Sequence, residues 1–277
     1  MQPSARYTLL FAAAVCIVCS VLVSSSAVLL RERQVENQLV DRQKKVLLVA
    51  GLMREGESLA REEVRRRFAD NLEPRVVDLE TGAYVDDVDP ETYDQRKAAR
   101  DPARSRRAPE NAAGVQRIPN RALVYLLRRD GAVDSIILPV QGMGLWSVLY
   151  GYLSLAPDTR TIRNIIFYEH GETPGLGGEV DNPRWKGLWA GRLAFDENWE
   201  PAISVVKGRA GPPEKDPYHV DGLSGATLTS NGVTNLLRFW LGEEGFGPYL
   251  EAARREATVA LPRPPRVAAV HREVARR

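Results

Sequence analysis

Between Tyr7 and Leu30 the chain runs 24 residues without a charge, and this stretch fixes what the N-terminal part can become. As a helix rising about 1.5 Å per residue it spans roughly 36 Å, enough for a hydrocarbon core of ~30 Å. A cleaved signal peptide is the competing reading. Such leaders carry apolar runs of only ~7–15 residues; this run is longer, and no small-x-small cleavage site leads into a polar mature start. The expectation is an uncleaved membrane helix at about 7–30, within an N-terminal segment 1–30. Arg6 precedes the span, whereas Arg31, Arg33, Arg42, Lys44 and Lys45 follow it. Counted locally, these charges would keep the following chain in the cytoplasm, although long domains translocate regardless of flanking charge. Cys16 and Cys19, the two cysteines, lie inside the span. Their C-x-x-C spacing supplies half the ligands of an iron-sulfur cluster, and packing as small membrane-buried side chains is the expected role.

The remaining chain is long enough for one large or two small domains in a total of 277 residues. With 38 basic against 36 acidic side chains the net charge is +2, so no global field selects nucleic acid or an acidic substrate. Val35, Leu39, Val46, Leu47, Val49 and Leu52 recur among charges at helical spacing, predicting a helical connector over 31–74, with Val64 to Phe68 continuing it or forming a second helix. Alternation around Thr81-Gly82 predicts a hairpin over 75–84. A charged insert at about 86–110 runs acidic and then arginine-rich, and reads as a solvated loop. Ala122 to Val140 predicts a hairpin turning at Asp130-Gly131, followed by strands over 149–156, 161–168 and 203–206. Helices are expected over 234–241 and 248–255, and a Pro/Arg-rich, disordered tail over 256–277. The class is α+β with a largely antiparallel sheet and flanking helices.

Chemistry concentrates in Asp221-Gly-Leu-Ser224-Gly225-Ala226-Thr227. Small residues leave the Thr227 hydroxyl unshielded six places after a carboxylate, as a modification site requires. The same stretch also reads as a polar turn, since Asn231-Gly232 is a turn signal. The motif resembles the flavinylation sequence of FMN-binding domains in respiratory complexes, in which a flavin transferase esterifies FMN phosphate to the threonine. Pro90–Arg96, Leu138–Ser147, Tyr168–Glu179, Val220–Val233, Phe239–Gly242 and Gly245–Pro248 narrow the similarity to the C subunits of the sodium-translocating NADH:quinone reductases, covering about residues 7–255.

This resemblance implies a single FMN-binding domain over 75–255 after the transmembrane helix, with FMN covalently bound at Thr227. It further implies that Gly144, Leu145 and Trp146 border the flavin, where glycine allows close backbone approach and tryptophan offers a contact face. Thr173 and the loop amides around Gly175 and Gly177 would meet the pyrimidine edge, and Leu176 the ring face. Amides of the helix after Ser230, together with Lys207, would hold the phosphate. Gly225 and Ala226 would adjoin the cofactor beside Thr227, and Ser224 and Asp221 would serve recognition by the transferase or its metal. Glu169, His170 and Glu172 suggest metal ligation only weakly, and a surface turn is the favoured reading. No catalytic residues and no resident metal are expected, because the cofactor carries the redox chemistry.

The implied role is an electron-relaying subunit of a membrane Na+-pumping NADH:ubiquinone oxidoreductase. Its partners are the other subunits and, during maturation, the flavin transferase, with no nucleic acid. The implied location is the bacterial inner membrane, single-pass, with the FMN domain on the periplasmic side, against the local charge count. The alternatives are the equivalent covalent-FMN subunit of a ferredoxin:NAD oxidoreductase complex, and a non-redox membrane-anchored scaffold.

Overall fold

The computed structural model describes residues 5–260, which fall into two compact units, Met1–Asp70 and Asn71–Arg277. The first unit opens with α1 (Ala5–Val49). Its portion Ala5–Arg31 contains an 18-residue window of mean hydropathy 2.5, none of it buried. Leu9, Leu10, Phe11, Val23 and Leu29 stand 62–79% exposed. An apolar cylinder of that length and exposure suits a bilayer rather than water. Cys16 and Cys19 are free and exposed on this helix. Past the charged stretch, Val46, Leu47 and Val49 are buried. The second helix, α2 (Arg61–Asn71), begins with Glu62 and Glu63, the charge sign that its N-terminal dipole favours. Glu36 of α1 pairs with Arg65 of α2 at 2.6 Å.

The second unit follows the order β1 (Leu72–Asp78), α3 (Gln95–Arg100), β2 (Ser105–Arg107), β3 (Arg117–Pro119), β4 (Arg121–Arg129), β5 (Ala132–Met143), β6 (Val148–Leu155) and β7 (Ile162–Glu169). It continues with α4 (Pro183–Gly187), β8 (Ser204–Val205), β9 (His219–Val220), α5 (Thr227–Leu241) and α6 (Gly247–Ala260). Five strands form one antiparallel sheet in the order β1-β4-β5-β6-β7. The β4–β5 connection turns at Asp130-Gly131, both with positive φ (52° and 80°), the type I′ geometry that matches strand twist. β8 and β9 form a short parallel pair. The α+β class with a largely antiparallel sheet is thus the observed one.

On one sheet face Val124, Leu126, Leu138, Val140, Leu149, Leu153, Ile165 and Phe167 meet Val233, Leu236, Leu237 and Trp240 of α5. Trp240 is fully buried, and its indole N–H donates to the Gln141 carbonyl at 2.6 Å, satisfying the polar end of a side chain whose ring fills the core. The other face carries Val76, Leu123, Tyr125, Leu127, Ile137, Tyr152 and Ile166, also buried. β4 is therefore a continuous apolar run rather than an alternating one.

Three expectations change. The hairpin over 75–84 is present in reduced form: one edge of β1 pairs along its whole length with β4, and the other keeps the bridge Val77–Tyr84 with the Asp78 amide donating to the Ala83 carbonyl at 2.9 Å. The charged insert is not a solvated loop but is folded into α3 and the β2–β3 pair. Two of its arginines are engaged by distant partners: Arg96 donates to both carboxylate oxygens of Glu169 at 2.6 and 2.8 Å and lies 3.7 Å from the Tyr150 ring centroid, and Arg106 reaches Glu244 at 2.9 Å. Third, α6 runs to Ala260, five residues into the expected tail; the rest of that expectation, 261–277, lies outside the described residues.

α5 begins seven residues before the expected helix at 234, and Asn231-Gly232 sits inside it rather than in a turn. Tertiary packing overrides the local signal: a Cβ at Gly232 would stand 2.4 Å from the Met143 carbonyl oxygen and 3.1 Å from Gly144 Cα. Helix and sheet touch through backbone there. Gly232→Ala is expected to cost about 1–3 kcal/mol, as overpacking does. Gly187→Ala, where nothing lies within 4 Å, should stay within about 0.5 kcal/mol. Thermal or urea unfolding of the two variants checks the difference.

Candidate functional site

Three segments distant in sequence meet at the start of α5. The first is the turn Gly144–Ser147 between β5 and β6, closed by the Gly144 amide bonding to the Ser147 carbonyl at 2.8 Å. The second is the loop 171–178 after β7, where the Thr173 carbonyl accepts from the Leu176 and Gly178 amides at 3.1 and 2.9 Å. The third is 221–230, which leads from β9 into α5.

Glu172 joins them. Its carboxylate accepts from the amides of Leu145 (3.2 Å), Trp146 (2.9 Å) and Ser147 (3.3 Å) and from the Thr229 hydroxyl at 2.5 Å. Successive amides pointing at one anion form a nest, filled here by the protein's own side chain. The loop is the surface turn expected, with Glu169 exposed, except that Glu172 itself is only 5% exposed. Burial pushes its pKa up, but the Thr229 hydroxyl and the Trp146, Leu145 and Ser147 amides outweigh that and hold the carboxyl below its usual range. It is ionised at neutral pH. The bare Cα of Gly144 makes room for it, since a Cβ there would lie 2.6 Å from Glu172 Oε1. Gly177 is buried on the opposite side, with its Cβ position 2.5 Å from Thr229 Oγ1. Among the described residues no cluster of three or more His, Cys, Asp or Glu has metal-holding geometry.

Thr227 is the first residue of α5 and exposed. Ala226, the N-cap, is buried and supplies no side-chain cap. The first amide to bond back is that of Ser230, to the Ala226 carbonyl at 3.0 Å. The preceding helical amides, Thr227 to Thr229, are thus aligned outward where the helix dipole is positive. The amides open to a phosphate therefore precede Ser230 rather than follow it. A pocket of about 560 Å³ opens beside them, lined by Lys207, Arg209, Asp221, Ser224, Gly225 and Thr227 among others. Lys207 and Ser224 are exposed. Asp221 turns toward the 207–211 loop, accepting from the Ala210 amide at 2.9 Å, while its carbonyl accepts from the Trp185 indole at 2.8 Å.

The two halves of the expected site meet at Gly225. Its φ is +72°, and the Cδ2 of Leu176 stands 2.9 Å from where its Cβ would be. Thr173 and Gly175 are exposed on the same loop. Beyond residue 35, and among the described residues, the exposed large hydrophobics are Tyr84 and five others: Met143, Leu145, Trp146 (68%), Leu176 and Leu228. Met143 ends β5, and the other four belong to the turn, the loop and the helix start. An apolar rim around an anion-ready helix end suits a ligand that is flat and apolar at one end and phosphorylated at the other. Sequence reasoning missed Arg209, Thr229 and the role of Glu172. An acid between two glycine-rich stretches was the available signal for Glu172.

Comparison with known proteins agrees with this geometry. Residues 144–242 match the FMN-binding domain family, a span that holds every residue of the two site halves. The C subunit of the Na(+)-translocating NADH-quinone reductase of Pseudomonas aeruginosa is 48% identical over 257 residues, 92% of this chain and 98% of that protein. Its Yersinia pestis counterpart is 47% identical over 253 residues, 90% and 93% of the respective chains. The crystal structure of Shewanella oneidensis NqrC superposes with a TM-score of 0.72 at 36% identity, covering 79% of this chain and 99% of that one. At this identity and coverage the chain belongs to the NqrC family, the C subunits of Na+-translocating NADH-quinone reductases.

Proposed function

We propose that this chain is the electron-relaying subunit of a membrane Na+-pumping NADH:quinone oxidoreductase, with FMN joined through its phosphate to Thr227 Oγ1. The observation that carries the reading is the position of the Thr227 hydroxyl at the first turn of α5. An ester phosphate there meets the outward amides of Thr227 to Thr229 and the cations Lys207 and Arg209, so the negative charge is met by helix dipole and side chains together. Attachment forms one P–O bond: Thr227 gives up its hydroxyl proton, and a phosphoanhydride of FMN, presented by a flavin transferase, loses its other half with the bonding electrons. Ser224 and Asp221, on the approach to Thr227, serve that recognition.

Bound FMN supplies the electron chemistry, accepting and releasing electrons singly. The chain's residues do the rest. Trp146 and Leu176 provide apolar faces that keep water from the ring, and Thr173 with the exposed loop around Gly175 offers polar groups for its pyrimidine edge. The ester prevents loss of the cofactor from an exposed site. The apolar part of α1 anchors the chain as a single pass in the bacterial inner membrane, with the second unit on the periplasmic side, where it meets the other subunits.

In full-length protein coexpressed with a flavin transferase, the denatured band is expected to fluoresce under ultraviolet light. Thr227→Val should be dark, while Ser224→Ala should retain part of the signal. A bright Thr227→Val band would overturn the assignment. Gly225→Val places a branched side chain at positive φ against Leu176, a strained combination costing about 1–3 kcal/mol. Its rate of flavin incorporation, followed by band fluorescence against time, is expected to fall by about tenfold or more.

A further inference from the structure

We infer that Glu172 is a positioning residue whose buried negative charge lowers the reduction potential of the flavin held at Thr227. This rests on the FMN reading above. The carboxylate binds all three elements of the site at one point: three amides of the Trp146 turn, the Thr229 hydroxyl two residues beyond Thr227, and its own loop carrying Thr173 and Leu176. Neither closure of the turn nor the seating of α5 on the sheet requires a charge there. The turn already closes on itself through its Gly144–Ser147 bond, and α5 is already fixed to β5 by Trp240 and by the Gly232 contact.

Every hydrogen bond made to the carboxylate comes from a neutral donor. Among the described residues Glu172 has no ion-pair partner. The closest titratable neighbour on its loop, His170, accepts the Glu172 amide at 3.2 Å through Nδ1 and turns Nε2 to Asp181 at 2.9 Å, away from the carboxylate. The turn residues 144–147 and the first turn of α5 bring no charged side chain. The charge is therefore stabilised by dipoles but not cancelled, and it sits where solvent and salt screen it poorly. It lies directly behind the Trp146 turn and the Leu176 loop. An electron added to a ring resting on those residues is repelled by it, so the reduced cofactor is disfavoured. The same bonds fix Trp146 relative to Thr227, which is the positioning half of the role.

The charge and the clasp separate by mutation. Glu172→Gln removes the charge and keeps the size. Thr229→Val removes one arm of the clasp and keeps the charge. In full-length, covalently flavinylated protein, spectroelectrochemical titration is expected to show a higher flavin midpoint potential in Glu172→Gln than in wild type, and no rise in Thr229→Val. An unmoved potential in Glu172→Gln, or an equal rise in both variants, would overturn the electrostatic role. Wild-type protein gives an independent readout: the infrared difference spectrum between oxidised and reduced forms should contain a carboxylate stretch perturbed by reduction, and its absence would also overturn the proposal. Failure of the FMN reading looks different, because the denatured wild-type band would then be dark.

Discussion

A single buried carboxylate holds the site together. The turn and the loop beside the start of α5 are short and glycine-rich, and their tips are exposed. Glu172 ties both to the helix by filling a nest of three amides and capturing the Thr229 hydroxyl. Burying an ion without a counter-ion is costly unless its acceptor positions are satisfied, and here four donors satisfy them. Removing those donors would leave an unpaired charge in the interior. The arrangement is accordingly rigid, and rigidity is what a site needs when its ligand's environment sets its potential.

Around that clasp the protein separates two kinds of surface. Toward the 205–211 loop, helix amides and cationic side chains line a pocket. Toward the β5–β6 turn, Leu145, Trp146 and Leu176 face solvent with apolar groups. In a domain whose other large hydrophobics are nearly all buried, that exposure marks a surface meant to be covered. A phosphate at one end and a flat heteroaromatic ring at the other match the two surfaces in the order in which the chain presents them. α5 connects the two sides, because its first turn bears Thr227 and its Gly232 contact fixes the helix against the strand that leads into the Trp146 turn.

Features written in local chemistry were legible in the sequence. The 24-residue uncharged run gave the apolar helix, Asp130-Gly131 gave the β4–β5 turn, and strands β5 to β7 fell close to their expected places. Features decided by distant partners were not. Arg96 meets Glu169 across 73 residues and Arg106 meets Glu244 across 138, so an insert that reads as solvated charge is part of the fold. The onset of α5 was hidden for the same reason: Asn231-Gly232 says turn locally, whereas the approach of Met143 to Gly232 demands a helix without a side chain. Glu172 reads as one of three acidic and imidazole groups in a polar loop, and its partners lie 25 to 57 residues away. The resemblance implied a modified threonine; the structure located a buried carboxylate, Glu172, bonded to Thr229 two residues further on.

The attachment of FMN to Thr227 is the claim on which the rest of the functional account depends. Its most direct test is mass spectrometry of the peptide containing residues 221–230, taken from the chain as purified with its native membrane complex. The account predicts a mass increased by FMN less one water, with fragmentation placing the addition on Thr227 rather than on Ser224, Thr229 or Ser230. An unmodified peptide, or an addition located on one of those other hydroxyls, would contradict it.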